Sequence, residues 1–439
     1  MKVFLVLNHF LPQQTAGTEV YTWALSKELQ NKGVDIRVII PNYGKTENEE
    51  YIFREIPVFK YAEPSIVDRS LIMGFRKPDG LNYFIELINN ENPDIIHFQE
   101  IAGSNGINLH HIKAAKEFGA KVIMTFHLSG NSCITGNLFY KNQIPCNGVI
   151  NIRKCSTCYL NSKSPSKFAE IFSFCSLIFK QIGWDTRKWN IPIGTALGTG
   201  FIMENFQERL KDLSIHSDKF VVITHWYRNI LLLNGISETK VTFIPQGLPY
   251  PVSIKKPTFF PIYNTLRLVY VGRISAFKGL HLLIDAIADL SLYDIQLDIF
   301  GQSSGDYYES DLRTKSKHSK HICWKGQLKQ EDVVSTMQSY DALCLCSTFS
   351  EMSPLVIQEA FAAKIPVIAS NVPGNNEQIK DGINGLLFQF MDSNSLKDVL
   401  LRCLENKDLL KGLKNNVESP RNFSEVGDEY LTLYKDLLT

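Results

Sequence analysis

A chain of 439 residues with 44% hydrophobic and 21% charged side chains has the balance of an ordinary globular protein, and it is longer than one core usually organises. Its formal net charge of +1 excludes the basic excess of a dedicated nucleic-acid binder. No run approaches the roughly 20 apolar residues needed to span a bilayer.

At the start, "MKVFLVLNHFLPQ" carries an apolar run interrupted by Asn8 and His9, with no small-residue cleavage site after it. A cytoplasmic chain is the expectation, with the inner face of the membrane as a place for peripheral contact. The nine cysteines should then be reduced, so clustered ones read as metal ligands and not as disulfides.

In chain order, "KVFLVLN" reads as a buried strand and 18–32 as an amphipathic helix ending at Gly33. "DIRVIIP", "DIIHFQ" and "KVIMTFH" read as further buried strands. Continuous apolar strands separated by helices indicate a parallel sheet covered on both faces. The pattern lapses into a polar, cysteine-bearing insert at about 128–200, then resumes with "KFVVITH" and "VTFIPQG". A proline-bearing stretch, 251–264, reads as a linker between domains of 1–250 and 265–423. The second domain repeats the architecture with "LRLVYVG", "QLDIF", "HICWKG", "ALCLC" and "PVIAS". A closing amphipathic helix, 424–439, is expected to pack back on the first domain. The fold expected is α/β: two doubly wound, Rossmann-like domains facing across a cleft, with ligand at the carboxyl ends of the strands.

"SEMSPLVIQEA" places Glu351 and Glu359 around a helix start, with Ser353 expected as N-cap and Pro354 at the first helical position. The free amides of Leu355 and Val356 at such an end favour a phosphate, and the carboxylates suit hydroxyl donors of a sugar or ribose. Upstream, "VYVGRISAFKGL" sends Arg273 out of a strand and has Lys278 open a helix. Both cations can reach the same sheet edge to hold a pyrophosphate and stabilise it as a leaving group. An isolated glutamate pair at this spacing is only a solvated helix face. In company with two cations it describes a nucleotide-diphosphate-sugar site.

"GRISAFKG" with "EMSPLVIQEAFAAKIPVIAS" and "DGINGLLF" resembles the donor-binding domain of family 4 retaining glycosyltransferases of GT-B fold. The resemblance implies that Arg273 and Lys278 hold the diphosphate, Glu351 the transferred sugar and Glu359 the ribose. Many members have Gly where this chain has Pro354, so the amides of Leu355 and Val356 must serve the phosphate. The family's glycine-rich loop corresponds to "QQTAGTEVYTWAL". There Gly17 allows close approach to the donor phosphates and Thr18 is expected to cap the helix. His127, ending "VIMTFH", is either a satisfied strand-end histidine or, as the resemblance implies, a contact to the transferred sugar near the reacting carbon. His127 and Glu351 are therefore the catalytic candidates. Retention of configuration is implied by the resemblance alone. No cofactor is expected for the transfer.

Cys133, Cys146, Cys155 and Cys158 contain one C-x-x-C knuckle and suit a structural zinc, with an iron–sulfur cluster as the rival and free thiols as the alternative. Just beyond, about 163–189 is dense in apolar residues and punctuated by Lys163, Lys167, Lys180, Arg187 and Lys188. It reads equally as a membrane-contacting surface or a buried helix. The expected activity is transfer of a sugar from a nucleotide-diphosphate sugar to a glycan or lipid-linked glycan acceptor in surface polysaccharide or glycolipid synthesis. The alternatives are a non-catalytic nucleotide-sugar-binding partner subunit or another GT-B enzyme such as an epimerase.

Overall fold

The computed structural model describes residues 1–101, 106–164, 168–250, 265–303 and 305–439. The expected linker at 251–264 lies outside the described residues. The chain divides into two compact units, Met1–Pro245 with Phe423–Thr439, and Gln246–Asn422.

The first unit is built on β1 (Lys2–Val6), β2 (Asp35–Tyr43), β3 (Glu49–Phe53), β4 (Ile56–Glu63), β5 (Ile95–Phe98) and β6 (Lys121–Phe126). A small separate hairpin of β7 (Phe139–Tyr140) and β8 (Ile144–Pro145) follows. Then β9 (Lys219–Val222) and β10 (Val241–Phe243) complete an eight-stranded sheet in the order β10-β9-β6-β5-β1-β2-β4-β3. Every pairing in that sheet is parallel except β3 against β4. Strands β5, β6 and β9 are almost wholly buried, as expected where helices cover both faces. The sequence reading did not anticipate β3 and β4. β3, "EEYIF", is a half-exposed edge strand and lacks the continuous apolar run of a buried one.

Between β6 and β9 the chain is mostly helical, and this corrects the expected lapse. Helices span Ile152–Lys163, Phe168–Gln181, Pro192–Leu197 and Thr199–His216. The first of these buries only Ser156 and Thr157, so it shows no apolar stripe by which a helix would be recognised.

The last helix, Phe423–Leu438, inserts Phe423, Val426, Tyr430, Leu433 and Tyr434 into the core of the first unit. Beneath it runs a buried polar chain. His97 of β5 contacts the Tyr434 hydroxyl through Nδ1 at 2.6 Å and Thr125 Oγ1 through Nε2 at 2.7 Å. Thr125 Oγ1 lies 3.0 Å from the Tyr430 hydroxyl, which accepts from the Tyr21 hydroxyl at 3.0 Å. Buried polar atoms are tolerable when each finds a partner, and such a network specifies one docking register for the helix.

The second unit holds six parallel strands: β11 (Leu266–Val271), β12 (Ile295–Phe300), β13 (Ile322–Gly326), β14 (Ala342–Leu345), β15 (Val367–Ser370) and β16 (Gly385–Phe388). Their order is β13-β12-β11-β14-β15-β16. The direction of winding reverses between β11 and β14, the switch point where open α/β sheets leave a crevice at the strand ends. Two buried apolar clusters, one on each side, include Leu268, Tyr270 and Leu297 in one and Val269, Leu343 and Ile357 in the other.

Burial holds His97 at about 3, with its neighbour His127 adding to the effect, and burial likewise holds His111 at about 3. His110 adds to the effect of burial at His111. Both His97 and His111 are neutral in the native unit, whereas the unfolded chain protonates them near 6.5. Below pH 6.5 the unfolded state therefore binds protons the native state does not, and stability falls as pH falls. Denaturant midpoints should drop progressively from pH 7 to 5, and His97→Gln should flatten that slope. An identical slope in the variant would show that His97 does not carry it.

Candidate functional site

In the second unit the decisive geometry lies where β11 and β14 end side by side. After β11 the chain passes Gly272 and Arg273 into a short 3-10 turn, Ala276–Lys278, then through Gly279 into the helix Leu280–Ala288. Gly279 has φ +64°, and a Cβ there would lie 1.8 Å from the carbonyl oxygen of Cys346. Only glycine lets this turn lie against the end of β14. The contact is locked by the Thr348 amide donating to the Phe277 carbonyl at 2.8 Å. Lys278 thus ends the turn two residues ahead of the helix, which corrects the expectation that it opens the helix.

That placement brings Lys278 Nζ to 2.6 Å from Glu351 Oε1. The same oxygen accepts from Ser347 Oγ at 2.5 Å. The Glu351 side chain is only 7% exposed and the Lys278 side chain 17%, so the pair is sheltered from screening. Gly374, with φ +87°, would place a Cβ 1.9 Å from the Glu351 carbonyl oxygen, so a second glycine is required behind the acid. Arg273 is exposed, and its guanidinium has no ion-pair or hydrogen-bond partner among the described residues. One cation is already matched to a carboxylate; the other is open.

The helix after this loop spans Leu355–Ala362, with Pro354 at the N-cap in an extended conformation. This corrects the expected cap. Ser353 lies outside the helix, makes no side-chain cap, and its carbonyl accepts from the Gln246 side-chain amide. Proline fixes the approach to the helix but has no N–H. The first amides without an acceptor inside the helix are then those of Leu355 and Val356. Glu359 lies one turn further on and is almost completely buried. Its Oε1 accepts from the Tyr250 hydroxyl and from Gln330 Nε2 at 2.7 Å. Burial raises its pKa, against the pull of those two donors. Tyr250, Gln330 and Ser347 were missed in the sequence, because each is recruited from another segment and carries no spacing signal.

In the first unit, Gly17 begins the helix Gly17–Asn31, with Ala16 at the N-cap and no side-chain cap. Thr18 therefore lies within the first turn and is not the cap. Gly17 is exposed, and a Cβ there would meet nothing within 4 Å, so the chain itself imposes no need for glycine. His127 directly follows β6, is buried, and packs edge-on against Tyr21 with ring centroids 4.8 Å apart. Its Nε2 lies 2.9 Å from Gln99 Oε1 at the end of the neighbouring β5. Burial holds it at about 3, so it is neutral near pH 7.

The residue after Gln99 is another that sequence reasoning missed. Glu100 accepts from the amides of His127 and Leu128 at 3.0 and 2.8 Å and from Asn131 Nδ2 at 2.7 Å. Burial pushes it up to about 7 despite these donors. Its own φ is +93°, an uncommon backbone for a side chain of this size. It ties down the loop that carries His127, and its only sequence signal was its position at the end of a strand.

The four cysteines Cys133, Cys146, Cys155 and Cys158 line one cavity beside the β7–β8 hairpin. Among the described residues, no three His, Cys, Asp or Glu side chains are drawn together to metal-ligating positions as they stand. Cys344 and Cys346 are fully buried in and beside β14.

On the helix Phe168–Gln181 and just beyond it, Phe168, Ile171, Phe174, Ile178, Ile182 and Trp184 are all exposed. The basic flank is thinner than the sequence suggested. Arg187 is buried with Asp185 at 2.7 Å, Lys180 is paired with Glu204 at 2.8 Å, and Lys167 lies outside the described residues. Lys163 and Lys188 remain. No helix among the described residues is long and apolar enough to cross a membrane.

Two family models match the chain, "Glycosyl transferases group 1" over residues 260–419 and "Glycosyltransferase Family 4" over 15–144. A phosphatidyl-myo-inositol mannosyltransferase of Mycobacterium leprae is 29% identical over 213 residues, 47% of this chain and 53% of that protein. The chain thus spans about half the length of the relatives it matches in sequence. Among solved structures, sucrose-phosphate synthase from Thermosynechococcus elongatus superposes with a TM-score of 0.66 at 16% identity, over 99% of this chain and 98% of that one. Anabaena HepE, solved in complex with UDP-glucose, superposes with a TM-score of 0.60 at 14% identity, over 100% and 98%. The two parallel-sheet units are those of the GT-B fold, and the chain belongs to the family 4, group 1 glycosyltransferases.

Proposed function

We propose that the chain is a retaining glycosyltransferase that moves a sugar from a nucleotide-diphosphate sugar to an acceptor hydroxyl, in the synthesis of a surface polysaccharide or glycolipid. One observation carries the reading: the buried Lys278–Glu351 pair beside the open Arg273 at the β11/β14 switch point. In it, Arg273 and Lys278 take the diphosphate, with the amides of Leu355 and Val356 as further donors. Fixed cations there stabilise the negative charge that grows as the sugar–phosphate bond breaks. Glu351, already anchored by Lys278 and Ser347, keeps a second oxygen for a hydroxyl of the sugar. Glu359 accepts from the ribose, and neutral His127 is assigned to the transferred sugar. The acceptor oxygen bonds to the anomeric carbon on the face the diphosphate leaves, and the departing phosphate oxygen takes the acceptor's proton. The protein mainly positions groups and stabilises charge, and this scheme calls on no metal. The UDP-glucose complex of HepE supports a nucleotide-sugar donor.

The acceptor side of the reading rests on the exposed apolar row from Phe168 to Trp184, with Lys163 and Lys188 beside it. It is proposed to rest on an anionic membrane surface that presents a lipid-linked glycan.

Thermal shifts with UDP, GDP, ADP and dTDP identify the donor class; a nucleotide at about 100 times its dissociation constant adds roughly 2.7 kcal/mol. Among the described residues Arg273 has no side-chain partner to lose. Arg273→Ala should therefore leave the melting temperature unchanged while lowering turnover by about 10²–10³-fold, the scale for removal of one charge-stabilising group. Full activity in that variant would refute the assignment. Ionised Glu359 accepts from ribose more strongly than its acid form, so nucleotide affinity should rise as pH climbs through its raised pKa, and binding below that pKa should release a proton. Calorimetry in two buffers of different ionisation enthalpy reads this directly, and Glu359→Gln should abolish the release. For the membrane, the chain should co-sediment with vesicles containing phosphatidylglycerol and not with phosphatidylcholine alone. Phe174→Glu with Ile178→Glu should end that binding without loss of nucleotide binding, and equal retention of the variant would overturn the proposal.

A further inference from the structure

We propose that Cys133, Cys146, Cys155 and Cys158 close around one zinc ion, forming a four-thiolate structural centre that pins the β7–β8 hairpin to the helix Ile152–Lys163.

The four sulfurs come from three separate pieces of chain. Cys133 follows the short turn Ser129–Asn131, Cys146 follows β8, and Cys155 and Cys158 lie three apart on one face of the helix. All four nevertheless line a single cavity of about 20 Å³. That is room for about one water-sized body. No histidine, aspartate or glutamate is among the residues lining it. A donor set made only of soft sulfurs favours zinc or iron–sulfur chemistry over the hard cations. A single zinc ion is the occupant proposed, since four thiolates complete its tetrahedral shell, and an iron–sulfur cluster is the competing outcome of the test.

The surroundings already suit sulfur that carries negative charge. Lys154 Nζ lies 3.2 Å from Cys146 Sγ, and the backbone amide of Lys141 donates to Cys158 Sγ at 3.3 Å. Lys141 and Asn142 at the hairpin tip take φ of +53° and +60°. This backbone is unfavourable for side chains of that size, and at Lys141 it aims the amide at the sulfur. Outer donors of this kind orient metal ligands and offset their charge. As the chain stands the sulfurs surround the cavity without being drawn in to ligating positions. Closure needs the four sulfurs to move inward around the ion.

Binding forms four zinc–sulfur bonds and breaks four S–H bonds. The four protons pass to solvent, zinc stays divalent, and no oxidant or reductant takes part. The centre would carry a formal charge of −2, which Lys154 partly offsets. With all four positions filled by protein it has no place for substrate, so its work is to order the insert. Cys133 lies only six residues beyond His127, and the centre would hold the far end of that loop as Glu100 holds the near end.

The test is made on the full chain, purified without chelator. Plasma emission should find about one zinc per chain. Replacement by cobalt should give the intense visible bands of a tetrahedral site together with sulfur-to-cobalt charge transfer. Cys146→Ser and Cys155→Ser should each lose the metal and the cobalt spectrum. Cys175→Ser, on the helix Phe168–Gln181, should keep both. Hydrogen exchange should quicken across about 128–160 in the two metal-free variants while nucleotide binding by the second unit persists, which separates loss of the centre from general unfolding. The metal content and the cobalt spectrum do not depend on the glycosyltransferase reading. Iron with sulfide and a broad brown absorbance, four free thiols with no metal, or a disulfide among the four would each overturn the proposal.

Discussion

A parallel sheet covered by helices on both faces leaves little of itself for chemistry. Its backbone is saturated by neighbouring strands and its side chains are committed to two apolar layers, so polar groups collect where strands end and loops begin. The rest of this protein follows from that constraint. Gln99 and Glu100 leave β5 next to His127 leaving β6; Arg273 leaves β11 next to Ser347 and Glu351 beyond β14. In each unit the parallel pairing of adjacent strands puts residues far apart in sequence within hydrogen-bonding distance.

The charged groups of the second unit are held differently from those of the first. Glu351 is kept with a lysine partner and a hydroxyl, and its loop is closed by two glycines whose φ no other residue adopts at comparable cost. Glu359 has only neutral donors, so burial is left free to raise its pKa. Two carboxylates eight positions apart in sequence thus differ in what they can hold. One is ion-paired beside the cations. The other has only the neutral donors of Tyr250 and Gln330 beside it, an acceptor site that suits hydroxyl groups.

In the first unit the polar chain beneath the final helix is neutral. His97 and His127 are both kept uncharged, and the chain of hydroxyls from Tyr434 to Tyr21 gives each buried atom a partner. Part of that chain is supplied by the final helix, more than 300 residues beyond β5. The loop carrying His127 hangs from a carboxylate, Glu100, whose backbone is itself in an unusual conformation. These are devices of positioning, and none of them has a sequence motif.

What the sequence determined by itself was whatever depends on local periodicity and on motifs held within one loop. The buried strands of both sheets were legible because an unbroken apolar run has few other uses. Arg273, Lys278, Glu351 and Glu359 were legible because two short motifs carry them. Tertiary structure decided the rest. The edge strand β3 is half exposed, and the helix Ile152–Lys163 buries only polar residues, so neither writes a clear apolar pattern. The helix starts expected at Thr18 and Ser353 moved because a cap is chosen by the path of the preceding chain as well as by residue type. Tyr250, Gln330, Ser347 and Glu100 acquire their roles only when strands from distant parts of the chain align. Spacing along a chain records what a segment can form, and the partner of a buried polar atom is fixed only when the segments meet.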